Sequence, residues 1–209
     1  MENTLQSKLY KSSLSPSFWK KAAGEIKSIK QIILSAIFVA ITMAIARFFI
    51  PIPVMGGQRI YFTFFVKALG TVIYGPIVGG IAAAVGDIIG AILFPTGPFF
   101  IGYTISAFLG TFIYGLFFYR QKITIFKIFM AKFTINIFVN SFLGSLWIYL
   151  MNRESKLFWP LFLARLPKNI ILLPIEVLVM YLFFTMIIPI MKKMKVINYA
   201  PFDGKINWF

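Results

Sequence analysis

The run from Gln58 to Leu93 is the strongest constraint on how this chain can fold. It is almost continuously apolar. As one helix at about 1.5 Å per residue it would be about 50 Å long, well beyond a hydrocarbon core of roughly 30 Å. The run therefore has to fold back. Gly75-Pro76, with Gly79 and Gly80 behind it, is the place where helix can stop. That gives one span at about 60–74 and another at about 77–93. Four further apolar runs reach spanning length: about 31–50, 99–119, 133–151 and 168–189, the last preceded by a short segment expected to lie at the membrane surface. The chain is 59% hydrophobic and 13% charged, too greasy for a soluble surface. These features predict an all-α integral membrane protein, a six-transmembrane-helix bundle.

The net charge of +15 does not point to nucleic acid. Most of the 21 basic residues lie between and outside the apolar runs, the pattern of topology signals and anionic-lipid contact. Residues 1–30 form a basic tail, 31–190 the membrane domain and 191–209 a C-terminal tail. An even number of spans puts both tails on one side. The Lys/Arg bias of the tails and of the 120–132 connection makes that side cytoplasmic. Within the N-terminal tail Ser15-Pro16 reads as a helix start. Phe18, Trp19, Ala22, Ala23 and Ile26 then fall roughly on one face, either as an interfacial helix or as the solvated start of the first span. With no cysteine and no histidine, thiol nucleophiles, disulfides, His-based metal sites and His general bases are out. A membrane enzyme would be left with Asp87 and Glu176, which form no metal-ligand motif. The reading is a non-catalytic protein with neither cofactor nor metal. A free-standing channel or secondary transporter would be expected to show internal repeats or paired broken helices, and the sequence has no convincing pair.

The site is expected where one apolar run ends and the next begins. Phe94-Pro95-Thr96-Gly97-Pro98 is short, uncharged and aromatic, which suits the rim of a pocket. Topology puts it outside together with the 51–59 loop, on the face where Arg47, Arg59, Arg165 and Lys168 gather. Charges at membrane depth are costly and by default mark a site with a partner. Here the cations outnumber the carboxylates Asp87 and Glu176. Either an anionic ligand completes the balance, or each charge snorkels or pairs internally, as Lys168 with Glu176 would. Arginine holds a carboxylate through two parallel hydrogen bonds, and aromatic faces stack on flat rings. The candidate binding set is Arg47, Arg59, Tyr61, Phe94, Gly97, Phe99, Tyr103, Arg165, Lys168 and Glu176. It describes a pocket for a planar molecule with acidic groups. A separate stripe, Ala36, Ala40 and Ala44, lines one face of the first span and would let a partner helix approach closely.

RIYFTFFVKALGTVIYGPIVGGIAAAVGDIIG (59–90), LFPTGPFFIGYTISAFLGTFIYG (93–115) and ARLPKNIILLPIE (164–176) resemble the substrate-binding (S) components of energy-coupling factor (ECF) vitamin transporters. Within that group the 93–115 stretch and the Arg165/Lys168 pair resemble the folate branch, and the similarity spans most of residues 30–190. The resemblance implies high-affinity folate binding from outside and delivery across a prokaryotic plasma membrane. It also implies partners: a transmembrane coupling subunit docking on the alanine stripe, and two ATP-binding subunits. The chain has no Gly-x-x-x-x-Gly-Lys-Ser/Thr loop, so ATP hydrolysis would be borrowed. Among sister S components, cationic thiamine does not suit the Arg/Lys excess, whereas planar, neutral riboflavin stays open, as does a stand-alone transporter.

Overall fold

The computed structural model describes residues 9–10, 12–48, 63–95, 97–152, 157–202 and 204–209, and the backbone alone of 52–54 and 58–60. In chain order the elements are α1 (Pro16–Gly24), a 3-10 turn (Glu25–Lys27), α2 (Ile29–Phe48), the strands β1 (Ile52–Val54) and β2 (Gln58–Ile60), α3 (Phe64–Leu93), α4 (Ile101–Phe118), α5 (Ile125–Met151) and α6 (Phe158–Lys193). The strands pair antiparallel with Pro53 opposite Arg59, which occupies the stretch where prolines and glycines forbid helix. Helices α2 to α6 are long and apolar enough to cross a membrane.

Helix α3 folds back where expected. Gly75 has φ 80° and ψ −179°, a region that glycine enters without a Cβ penalty. A Cβ on Gly79 would lie 3.0 Å from Thr71 Cγ2. On a straight helix, residues eight apart would be separated by about 12 Å. So α3 is two antiparallel arms, 64–74 and 76–93, and the five helices make six apolar rods. Helix α4 presses on the reversal: a Cβ on Gly115 would lie 2.4 Å from Pro76 Cα.

Two expected boundaries move. The 120–132 connection is shorter than the charges suggested, because α5 begins at Ile125 and contains Lys127 and Lys132. Thr124 starts that helix, its side-chain oxygen accepting from the Lys127 backbone N–H at 3.2 Å. Helix α6 is continuous from Phe158, so no separate surface segment precedes the last span. Pro167 and Pro174 sit inside it, as membrane helices allow when neighbours re-satisfy the backbone.

The core is built from Val72, Tyr114, Phe118, Ile128, Val139, Met180, Phe184 and Ile188, and it continues into the C-terminal tail through Ile197, Tyr199, Phe202 and Ile206. The tail carbonyls of Asn207 and Trp208 accept from the Ile125 and Phe126 N–H groups at 2.9 and 3.1 Å, covering donors that a helix start leaves free. The N-terminal segment packs at the same end of the bundle. Phe18 and Ala22 of α1 are buried with Tyr119, and the Tyr119 hydroxyl donates to Glu25 Oε1 at 2.7 Å. Burial, with the Glu25 carboxylate beside it, pushes the Tyr119 phenol well above its usual range. Of the residues expected on one face of α1, Trp19 stacks on Phe112 of α4, while Ala23 and Ile26 face outward.

Candidate functional site

Two adjoining cavities lie inside the bundle. The larger, 740 Å³, is enclosed by α2, both arms of α3, the 94–100 connection and α4. The smaller, 350 Å³, lies between the first arm of α3, α4, α5 and α6. Thr63, Lys67, Tyr103, Ala107 and Thr111 line both.

Aromatic and small side chains form the larger cavity: Phe38, Phe94, Phe99, Phe100 and Tyr103 with Gly79, Ala83, Gly86 and Gly90. Glycine and alanine on the second arm of α3 leave the space that larger residues would fill. Asp87 faces this space, one of its oxygens accepting from Thr104 Oγ1 at 2.7 Å. Lys67, on the opposite arm, lines the same space.

The smaller cavity is polar, and its lining depends on a π-helical stretch of α5, Ile135–Leu143. Widened turns of this kind re-aim side chains and recur at functional sites. Asn140 Nδ2 donates to Asn136 Oδ1 at 2.9 Å, and Ser141 Oγ donates to the Asn136 carbonyl at 2.8 Å. Asn136 Nδ2 reaches across to α6, donating to Glu176 Oε2 at 2.7 Å and to the Asn169 carbonyl at 3.1 Å. Asn169 Nδ2 returns a bond to Ser141 Oγ at 2.8 Å. Lys132 Nζ lies 3.0 Å from Glu176 Oε2 and 4.3 Å from the centroid of the Phe64 ring. Arg165 Nη1 donates to the Asn140 carbonyl at 3.3 Å, which turns its guanidinium toward the cavity that Lys168 also lines. Two hydroxyls of the lining, on Thr111 and Tyr114, are buried without a protein partner. Buried polar atoms of that kind call for an explanation, and a ligand supplies one.

The residues expected from sequence are distributed over this pair of spaces. Phe94, Gly97, Phe99 and Tyr103 line the larger cavity, and Tyr103, Arg165, Lys168 and Glu176 line the smaller. Arg47 is exposed at the rim, its guanidinium carbon 5.4 Å from the centroid of the Phe94 ring. Arg59 is described only by its backbone in β2, and Tyr61 lies outside the described residues. Glu176 forms a 3.0 Å ion pair with Lys132, a partner that the sequence did not suggest. Sequence reasoning saw Lys67 inside the second span but gave it no role, did not single out Thr111 and Tyr114, and read Lys132 as a connection charge. The four-residue spacing of Asn136 and Asn140 was the visible trace of the polar face. Ala36, Ala40 and Ala44 are all exposed, so nothing among the described residues covers that stripe. No cluster of metal-ligating side chains occurs among the described residues.

Aromatic walls, a cationic flank and unmet hydroxyls inside an apolar helical bundle define a membrane-embedded protein that holds a small molecule. Comparison with known proteins narrows the class. Residues 26–193 match the family described as "ECF-type riboflavin transporter, S component". A folate transporter FolT from Clostridium novyi (strain NT) is 33% identical over 157 residues, covering 75% of this chain and 88% of that protein. A folate transporter FolT from Leuconostoc mesenteroides subsp. mesenteroides is 31% identical over 157 residues, covering 73% and 83% respectively. A crystal structure of FolT bound with folic acid superposes with a TM-score of 0.65 at 33% identity, covering 74% of this chain and 92% of that one. The chain belongs to the ECF-type S component family.

Proposed function

We propose that this chain binds folate in the joined cavities and delivers it across a prokaryotic plasma membrane as the S component of an ATP-driven ECF transporter. The observation that carries the reading is the joined pair of cavities. An aromatic space beside a cationic one suits a molecule with a flat heteroaromatic head and a carboxylate tail. Phe94, Phe99 and Tyr103 offer faces to the ring, while Arg165 and Lys168 meet the acid, Arg165 through the two parallel bonds its planar fork allows. Arg47 stands at the rim beside Phe94. Names of relatives that carry folate support the same ligand.

The cavity rim around Phe94–Phe100 faces outside and both tails face the cytoplasm, as the distribution of lysines requires. Delivery depends on partners. A transmembrane coupling subunit docks on the exposed Ala36, Ala40 and Ala44 face, where methyl-sized side chains permit close helix approach. Two ATP-binding subunits supply the hydrolysis. The chain itself is a non-catalytic subunit.

The test is titration of purified, detergent-solubilised protein with folic acid, riboflavin and thiamine, followed by Trp and Tyr fluorescence. Saturable quenching by folic acid that Arg165→Ala weakens at least tenfold is the expected result. A riboflavin reading has its own support in the family description, and it makes the opposite forecast. A neutral ligand would bind Arg165→Ala and the parent chain alike, and that outcome would move the ligand to riboflavin.

A further inference from the structure

The first arm of α3 carries Lys67, which like Thr63 just before the helix lines both cavities, and it ends in a backbone fault. In an uninterrupted helix the Val72 carbonyl would accept from the N–H of residue 76. That residue is proline and has none. The carbonyl is nevertheless satisfied, because the Tyr199 hydroxyl of the C-terminal tail donates to it. Tyr199 is buried, and its oxygen in turn accepts from the Arg120 N–H at 3.2 Å. Arg120 sits at φ 48°, a strained setting for a side chain, with its guanidinium carbon 5.8 Å from the Tyr119 ring centroid and 5.4 Å from that of Tyr199. Its carbonyl accepts from the Tyr10 N–H at 2.7 Å. One tyrosine thus ties the tail to the end of the arm and to the α4–α5 turn.

The tail is also the last layer beneath the cavities. Tyr114 lines the smaller one, stacks on Phe118 at 5.9 Å, and Phe118 meets Phe184 edge-on at 5.2 Å. Ile197, Tyr199, Phe202 and Ile206 complete the same core at the tail end.

We infer that the C-terminal tail, through Ile197, Tyr199, Phe202 and Ile206, is a latch under the ligand cavities, with Tyr199 as a positioning residue that fixes the Lys67-bearing arm of α3 through the Val72 carbonyl. The inference deepens the proposed function and rests on it for the identity of the ligand. If the arm holds its binding position only while latched, ligand and tail stabilise each other reciprocally, because coupling between two sites acts equally in both directions. Ligand in the cavity keeps the tail closed, and a freed tail loosens the ligand. One buried hydrogen bond sets the scale, a change of about three- to tenfold in each equilibrium.

A cysteine reporter measures this in the full chain, because the protein has no cysteine of its own. Ile197→Cys places a thiol on the buried face of the tail, and its rate of modification by a water-soluble maleimide reports opening. The expected result has three parts. Folic acid slows labelling several-fold. Tyr199→Phe raises it about three- to tenfold. The same substitution weakens folic acid binding by a similar factor, while the melting curve stays a single cooperative transition. Labelling that ignores bound folic acid, or Tyr199→Phe that leaves affinity unchanged, overturns the latch. Should Tyr199→Phe not accumulate, Phe202→Ala loosens the tail without touching Val72 and carries the same comparison. Absence of folic acid binding by the parent chain counts against the ligand assignment instead. The rise in labelling on Tyr199→Phe, read without ligand, then still decides whether Tyr199 holds the tail.

Discussion

Lys132 of α5 and Glu176 of α6 meet at 3.0 Å in the middle of the bundle, with the lysine side chain 2% exposed and the glutamate 14%. Asn136 donates to the same Glu176 oxygen, and the Phe64 ring covers the ammonium. The pair therefore pins α5, α6 and the first arm of α3 to one register at the floor of the smaller cavity.

Breaking this pair from one side should cost far more than removing it. Lys132→Met leaves the Glu176 carboxylate without its paired cation, and loss of one partner from a buried ion pair costs about 3–5 kcal/mol. The double variant Lys132→Met/Glu176→Gln keeps the volumes and removes both charges, so it should recover most of that loss. Thermal unfolding in detergent of the two single variants and the double variant closes the cycle. A double variant destabilised by the sum of the two single losses would show that the pair is not coupled.

Arg165 can be moved without changing its charge. A Cβ on Gly144 would lie 2.5 Å from Arg165 Nη1, the far end of a flexible side chain. Gly144→Ala should displace the guanidinium from the Asn140 carbonyl with little effect on folding. If Arg165 grips the ligand's carboxylate, folic acid affinity should fall about tenfold, the loss expected from a charge-assisted hydrogen bond. Fluorescence titration reads the affinity and a melting curve reads the fold. A variant that binds like the parent would place Arg165 outside the binding machinery.

The architecture was legible because the signals that set it are local. Bilayer thickness limits the length of an apolar run, and Gly75-Pro76 can only break one. The rim residues Phe94, Phe99 and Tyr103 were visible for the same reason: they flank a break. The polar interior was not visible in the same way. Lys132 looked like a connection charge because its partner, Glu176, is remote in sequence and lies on another helix. The reach of α5 back to Ile125 depends on caps from Thr124 and from the tail, and no apolar pattern encodes those. The π-helical stretch that aims Asn136 and Asn140 at α6 has no period that a sequence reading would separate from an ordinary helix.

Close approach of α4 to the α3 reversal makes two glycines on one helix behave differently. A Cβ on Gly115 meets the Pro76 backbone at 2.4 Å, whereas one on Gly110 finds only Val139 Cγ1 at 3.9 Å. Backbone cannot swing aside as a side-chain tip can. Gly115→Ala should therefore destabilise by at least about 1–3 kcal/mol, the usual cost of overpacking. Gly110→Ala should fold like the parent. Melting temperatures of the two variants in the same detergent give the comparison, and equal values would mean that α4 shifts freely against the reversal.

Lys67 should show stability and function pulling in opposite directions. It lines both cavities, with Asp87 in the lining of the larger and Lys132, Arg165, Lys168 and Glu176 in that of the smaller. Holding a charge there costs free energy that a methionine would not require. Lys67→Met should therefore leave the ligand-free protein within about 1 kcal/mol of the parent, since the gain from removing a desolvated cation offsets the loss of its attraction to Asp87. Binding should respond differently. A lysine between the two spaces is placed to meet the polar linkage of a ligand that occupies both, so its loss should lower folic acid affinity about tenfold or more. The readout is the rise in melting temperature on adding folic acid, which scales with ligand concentration over Kd. At a fixed concentration that rise should shrink in Lys67→Met while the ligand-free melting temperature stays nearly constant. An unchanged rise would make Lys67 a bystander, and a collapse of the ligand-free protein would make it a structural ion instead.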